Sequence, residues 1–128
     1  MTQQDALSIS SQILNNYMQA WNSRDAAALS GCLHFPSLRI NGRNQIRIFS
    51  SASDISHLFE ELSTQEDFIQ SHWVQATVIH ASAKKIHIAC SFNRELNEGR
   101  IAGPFHSLYI LTFEQERWGV RLRSSFHV

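Results

Sequence analysis

The period of the apolar residues changes once along this chain, and nothing else in it constrains the fold as strongly. Before residue 62 apolar side chains recur mainly at three- and four-residue spacing; after Asp67 they recur at a spacing of two. A helical first half followed by a β-rich second half is the pattern of an α+β domain, in which helices pack on one face of an antiparallel sheet. The second half is divided by three turn signals, Ser82-Ala83-Lys84-Lys85, Asn97-Glu98-Gly99 and Gln115-Glu116. They leave strands over 68–81, 85–96, 100–113 and 117–127. Strands this long exceed the usual five or six residues, so they must twist and bend. Gly103-Pro104 is a natural bulge, because proline donates nothing to a ladder.

The helical half resolves into three segments. Residues 5–21 carry Ile9, Ile13, Leu14, Tyr17, Met18 and Trp21 on one face. A short helix over 24–33, capped by Ser23, has Asp25 in its first turn and ends before Pro36. Ser51 or Ser53 caps a third helix whose Ile55, Leu58, Phe59 and Leu62 follow the i, i+3, i+4, i+7 pattern. Between the second and third helices, 35–40 and 44–49 alternate around Asn41-Gly42, the strongest short hairpin signal.

At 128 residues the chain is expected to form one domain over 1–128. It carries 11 basic and 11 acidic residues, so bulk electrostatics offer nucleic acid no attraction. No apolar run approaches the 18 or so residues of a membrane span. Cys32 and Cys90 are isolated in apolar stretches, which points to buried thiols rather than zinc ligands. The first ten residues lack the basic and apolar regions of a secretory signal, so with free thiols the expected compartment is the cytoplasm.

A symmetric turn at Ala83-Lys84 pairs His80 with His87 and sets Ile79 against Ile88. One face of the sheet then carries Trp73, Gln75, Thr77, Ile79, Ile88, Cys90 and Phe92, continued by Phe105, Ser107, Tyr109 and Leu111. It is large and aromatic, and helices on a curved sheet leave a pocket over it. The other face, on the convex side, is small, mildly apolar and rimmed by histidines, and suits a partner sheet or a homodimer. Arg121 and Arg123 alternate with Val120 and Leu122. A two-residue turn before them sends Trp118, Val120 and Leu122 inward. A bulged one sends Arg121 and Arg123 inward beside Tyr109, where they are possible contacts for a carboxylate or phosphate.

Helix, short helix, hairpin, helix and four long strands resemble the nuclear-transport-factor-2-like superfamily, which includes ketosteroid isomerases and polyketide cyclases. The segment NYMQAWNSRDAAALSGCLHF is similar to its first two helices, and SLYILTFEQERWGVRLRSSF to its last hairpin. The resemblance implies three N-terminal helices packed on a strongly curved antiparallel sheet, a cone-like α+β barrel; with the face reading above, the expected partner is a second copy bound through the convex sheet face. Ketosteroid isomerase chemistry needs a carboxylate base, a tyrosine and a protonated aspartate. Alignment by element puts Tyr17 at the tyrosine, Asn41 at the base and Tyr109 at the aspartate, and an amide takes no proton.

The carboxylates Asp5, Asp25, Asp54, Glu60, Glu61, Glu66, Asp67, Glu95, Glu98, Glu114 and Glu116 fall at helix ends, turns or the exterior strand face. The expected protein is therefore a binder of a small, largely apolar molecule, with no cofactor and no metal. Tyr17, Trp21, Asn41 and Phe59 line its pocket from the helical half. Trp73, Gln75, Thr77, Cys90, Phe92, Phe105, Ser107 and Tyr109 line it from the sheet. The alternatives are an isomerase, cyclase or dehydratase with Tyr17 polarising a carbonyl and His34 as base, and a non-catalytic dimeric module. His80 and His87 are too few ligands for a metal site.

Overall fold

The computed structural model describes residues 1–64 and 68–127. Glu66 and Asp67 lie outside the described residues. Helix α1 (Gln3–Ser23) opens on a capping box, in which Thr2 and Asp5 bond each other's backbone N–H. It closes on Arg24 in the left-handed region, φ 54°. Helix α2 (Ala26–Gly31) follows at once. Its N-cap is Asp25, whose side chain accepts from the Ala28 N–H at 3.0 Å, so the cap lies two residues beyond the expected Ser23. Helix α3 (Ala52–Leu62) starts after Ser51 and buries Ile55, Leu58 and Phe59.

Strands β1 (Leu33–Ile40) and β2 (Ile46–Phe49) precede α3; β3 (Phe68–Ala81), β4 (Lys85–Leu96), β5 (Ile101–Glu114) and β6 (Arg117–Ser125) follow it. The sheet order is β2-β1-β6-β5-β4-β3. All neighbours run antiparallel except β1 and β6, which are parallel. The two outer strands, β2 and β3, do not pair, so the sheet stays open rather than closing into a barrel.

Bulges decide which side chains face the helices, because one extra residue inverts the alternation beyond it. In β3 the bulge at Val74 pairs Gln75 with Ser91 and Ala76 with Cys90, so Gln75 and Thr77 join the outer face. A second bulge at Ile79 leaves Val78, not Ile79, opposite Ile88, while His80 still meets His87. On β5, Gly103 and Pro104 together oppose Asn93, the bulge foreseen there. Gly103 adopts φ +119°, and a Cβ there would stand 2.8 Å from Asn93 Oδ1.

In β6 the turn is the two-residue kind, with Gln115 and Glu116 both at positive φ. Val120 faces the core opposite Leu111. Arg121 is then an extra residue, and beyond it Arg123 lies opposite Tyr109 on the inner face. Both readings of this strand hold in part, because the bulge lies inside the strand rather than in the turn.

The core between helices and sheet contains Leu14, Tyr17, Leu29, Phe49, Ile55, Ile86, Ile88, Tyr109, Leu111 and Val120. Two side chains, Trp73 and Asn22, fasten α1 to the edge strand. Trp73 Nε1 donates to the Leu14 carbonyl at 2.9 Å. The Asn22 amide donates to the Ser71 carbonyl and accepts from the Ser71 N–H, both at 2.8 Å, pairing with an edge that no further strand covers. Among the described residues, no helix is long and apolar enough to cross a membrane.

Candidate ligand cavity

One cavity of about 30 Å³ opens between α1 and the sheet. Helix α1 contributes Tyr17, Met18 and Trp21 to its wall. Ser71 and Trp73 come from β3, Phe92 and Arg94 from β4, and Tyr109 from β5. Arg39 of β1 and Arg123 of β6 complete it. A smaller void of about 10 Å³ lies toward α2 and α3, and Arg39, Arg123, Tyr17 and Trp21 line both spaces.

The aromatic walls hold one another in place. Tyr109 is 1% exposed and meets Tyr17 and Trp73 edge-on at 5.3 and 5.7 Å between ring centroids. Trp73 meets Phe92 edge-on at 6.3 Å, and Trp21 stacks on Tyr17 at 6.5 Å. Such pairs favour edge-to-face and offset geometry because the ring face is negative and its rim positive.

Four arginines surround these rings. Arg123 Nε donates to the Tyr109 hydroxyl at 2.9 Å, and its guanidinium lies 5.6 Å from the Phe92 centroid. Arg39 is its register partner across β1 and β6 and lies over Trp21 at 5.0 Å. Arg94 and Arg24 lie over Phe68 at 4.1 and 4.4 Å. Among the described residues, no carboxylate forms an ion pair with any of the four; the pairs present are peripheral, Arg47–Glu61, His72–Glu95 and Arg121–Glu114. Burial, and then the neighbouring Arg123 charge, bring the Arg39 guanidinium down to about 10, still protonated at neutral pH. Burial raises the Tyr109 hydroxyl well above its ordinary value, so it stays neutral.

His127 covers the far end of this cluster, 4.5 Å from Phe105 between centroids. Arg94 Nη1 donates to its Nε2 at 2.8 Å, which requires an unprotonated nitrogen there. Burial, and then the Arg94 charge, hold the imidazole down to about 4. A base whose folded value lies below its unfolded 6.5 contributes stability in full above that pH and loses it as the pH falls toward 4. His127→Gln is therefore expected to flatten the decline between pH 7.5 and 5.0 by about 1 kcal/mol, a figure reduced for partial exposure. Urea unfolding at both pH values measures the difference.

Of the twelve side chains expected to line a pocket, Tyr17, Trp21, Trp73, Phe92 and Tyr109 meet at this cavity. Phe59 packs behind Trp21, at 5.6 Å between centroids. Cys90, Phe105 and Ser107 share the inner face beyond the cavity wall; Cys90 is buried and its thiol raised to about 12, and Ser107 bonds Ser125. Gln75 and Thr77 are exposed, turned out by the Val74 bulge. Asn41 falls one residue past the end of β1 and spends its side chain on its own loop, accepting from the Arg43 and Gln45 N–H groups. That loop runs through Asn44 at φ 62° rather than through a tight Asn-Gly turn.

His34 is 2% exposed and lines neither space. Its Nε2 lies 3.1 and 3.2 Å from the carbonyls of Thr112 and Arg117 and donates to them, and its ring sits against Gly119, where a Cβ would come within 2.9 Å. It packs against β6, away from this cavity. Arg121 turns outward to the Pro36 carbonyl and Glu114. Met18, Arg39, Ser71 and Arg94 line the cavity from outside the expected set. Arg39 sits between Leu38 and Ile40, where alternation assigns the arginine to solvent, yet Leu38 and Ile40 take the outer face opposite Ile48 and Ile46. Its only sequence signal is shared parity with Ser37 and Asn41.

No family model matches the chain, and no curated protein matches it. Solved structures do. A nuclear-transport-factor-2-like protein of unknown function from Pseudomonas putida superposes with a TM-score of 0.76 at 16% identity, over 98% of this chain and 88% of that one. A protein from Nostoc punctiforme with a cystatin-like fold gives 0.78 at 11%, over 98% and 92%. This chain has the nuclear-transport-factor-2-like fold. A ketosteroid isomerase-like protein from Erwinia carotovora shares it at 0.69 and 13% identity, over 93% of both chains. At such identities the likeness concerns the nuclear-transport-factor-2-like fold alone, and what this cavity does must be argued from its own residues.

Proposed function

We propose that this chain is a small-molecule-binding protein whose ligand enters the cavity between α1 and the sheet. The carrying observation is an aromatic-walled cavity, drawn from several elements, in which arginine donors face inward without carboxylate partners among the described residues. Apolar walls with a few converging polar groups are what ligand sites consist of. Met18, Trp21, Trp73 and Arg94 retain accessible surface at its wall, and Met18 is unbranched and repacks readily around a guest.

The isomerase-type alternative needs a base at the cavity, and none of the ten described residues lining it is a carboxylate or histidine. A second copy on the outer sheet face belongs to the same proposal; Ile46 and Ile48, 65% and 57% exposed, support it. Binding is expected to change the fluorescence of Trp21 and Trp73, which line the cavity. Titration with indole and benzoate should shift the emission of the parent, and a Trp73→Phe chain should lose a large part of the response. Emission unmoved by both compounds counts against the proposal.

A further inference from the structure

We infer, building on that ligand-binding reading, that the cavity is a carboxylate site: an organic monoacid places its carboxylate between Arg39 and Arg123 and its apolar body against the aromatic walls. Arg39 and Arg123 are register partners on adjacent parallel strands, so their side chains enter the same space. Arg39 donates no hydrogen bond to any described residue, and Arg123 spends only Nε, on Tyr109. Two planar forks whose terminal nitrogens bond no described residue match the two oxygens of a carboxylate.

The surroundings explain why an anion is needed. Cationic side chains taken out of water require compensation. Elsewhere on this protein arginines find it in carboxylates, as at Arg47–Glu61 and Arg121–Glu114. At the cavity the described residues supply ring faces instead, Trp21 under Arg39 and Phe92 and Tyr109 under Arg123. Ring faces attract a cation weakly and do nothing about the repulsion between two neighbouring cations. A bound carboxylate removes that repulsion. Tyr109 accepts from Arg123, which leaves its hydroxyl proton free to donate to the same guest.

A carboxylate fits better than a phosphate. The cavity holds about 30 Å³, so an organic guest must displace wall side chains as it enters. Apart from its arginines and Ser71 the wall is Tyr17, Met18, Trp21, Trp73, Phe92 and Tyr109, surface that suits the apolar body of an organic acid and offers little to the further oxygens of a phosphate. Met18 and Arg94, half-buried at the wall, are the side chains placed to move aside for an aromatic or aliphatic tail.

The test compares benzoate, benzamide and inorganic phosphate by calorimetry and tryptophan emission on the parent chain and on Arg39→Met, Arg39→Lys and Arg123→Met. Benzoate is expected to bind at least about tenfold more tightly than benzamide, the difference that charge-assisted bonds contribute. Arg39→Met and Arg123→Met should bring benzoate down to the benzamide level, with Arg39→Lys falling between. Equal binding of benzoate and benzamide overturns the carboxylate assignment and leaves the ligand-binding reading standing. So does phosphate binding as tightly as benzoate, or full benzoate affinity in Arg39→Met. No binding of any of the three overturns the carboxylate assignment, and the ligand-binding reading falls with it if indole also leaves the emission unmoved. The parent comparison decides the matter even where a methionine variant fails to fold.

Discussion

A Tyr109→Ala chain is expected to lose about 3–5 kcal/mol of stability, the range for removing a large buried aromatic. Tyr109 is 1% exposed and joins three parts of the molecule. It touches Tyr17 of α1, Trp73 of the edge strand and Arg123 of β6. Deleting the ring enlarges a cavity that already exists, and the surrounding aromatics, fixed by their own contacts, relax only partly into the space. Tyr109→Phe isolates the hydroxyl: it keeps the ring but removes the acceptor of Arg123 Nε, at a cost of about 1–3 kcal/mol. Denaturant midpoints of the two variants separate ring from hydroxyl. A loss below about 1 kcal/mol for the alanine chain would contradict the placement of Tyr109 at the centre of this core.

Arg39→Met is expected to act in the opposite sense and raise stability by about 1–3 kcal/mol. A methionine fills similar length, packs on the Trp21 face and removes a charge that burial and Arg123 both disfavour. The same substitution deletes half of the proposed carboxylate clamp. One variant is thus expected to gain stability and lose binding, which is how a site kept for function differs from one kept for packing. Chemical denaturation without ligand reads the first effect. A destabilisation of more than about 1 kcal/mol would show that Arg39 holds the fold together through its charge.

Much of this architecture is legible in the chain before any coordinates. The helices, the four long strands and their turns follow from local preferences, since apolar period and turn residues act within a few positions. The His80–His87 pairing and the inward face of β5 through Phe105, Ser107, Tyr109 and Leu111 follow from a turn and strict alternation. Five of the aromatic lining residues were therefore identifiable.

What alternation misses is where it breaks. Nothing local distinguishes Val74, Ile79 or Arg121 as the residue a strand leaves unpaired; the curvature required to pack the sheet on α1 and α3 selects them. Those bulges expel Gln75 and Thr77 and divide Arg121 from Arg123. The end of β1 at Ile40, one residue before Asn41, makes Arg39 the last inward side chain of that strand. The sequence alone thus determined the elements, their order and an aromatic inner face, because these depend on neighbours along the chain. The tertiary structure decided that two arginines face each other inside that aromatic shell, because only strand register across the sheet brings positions 39 and 123 together.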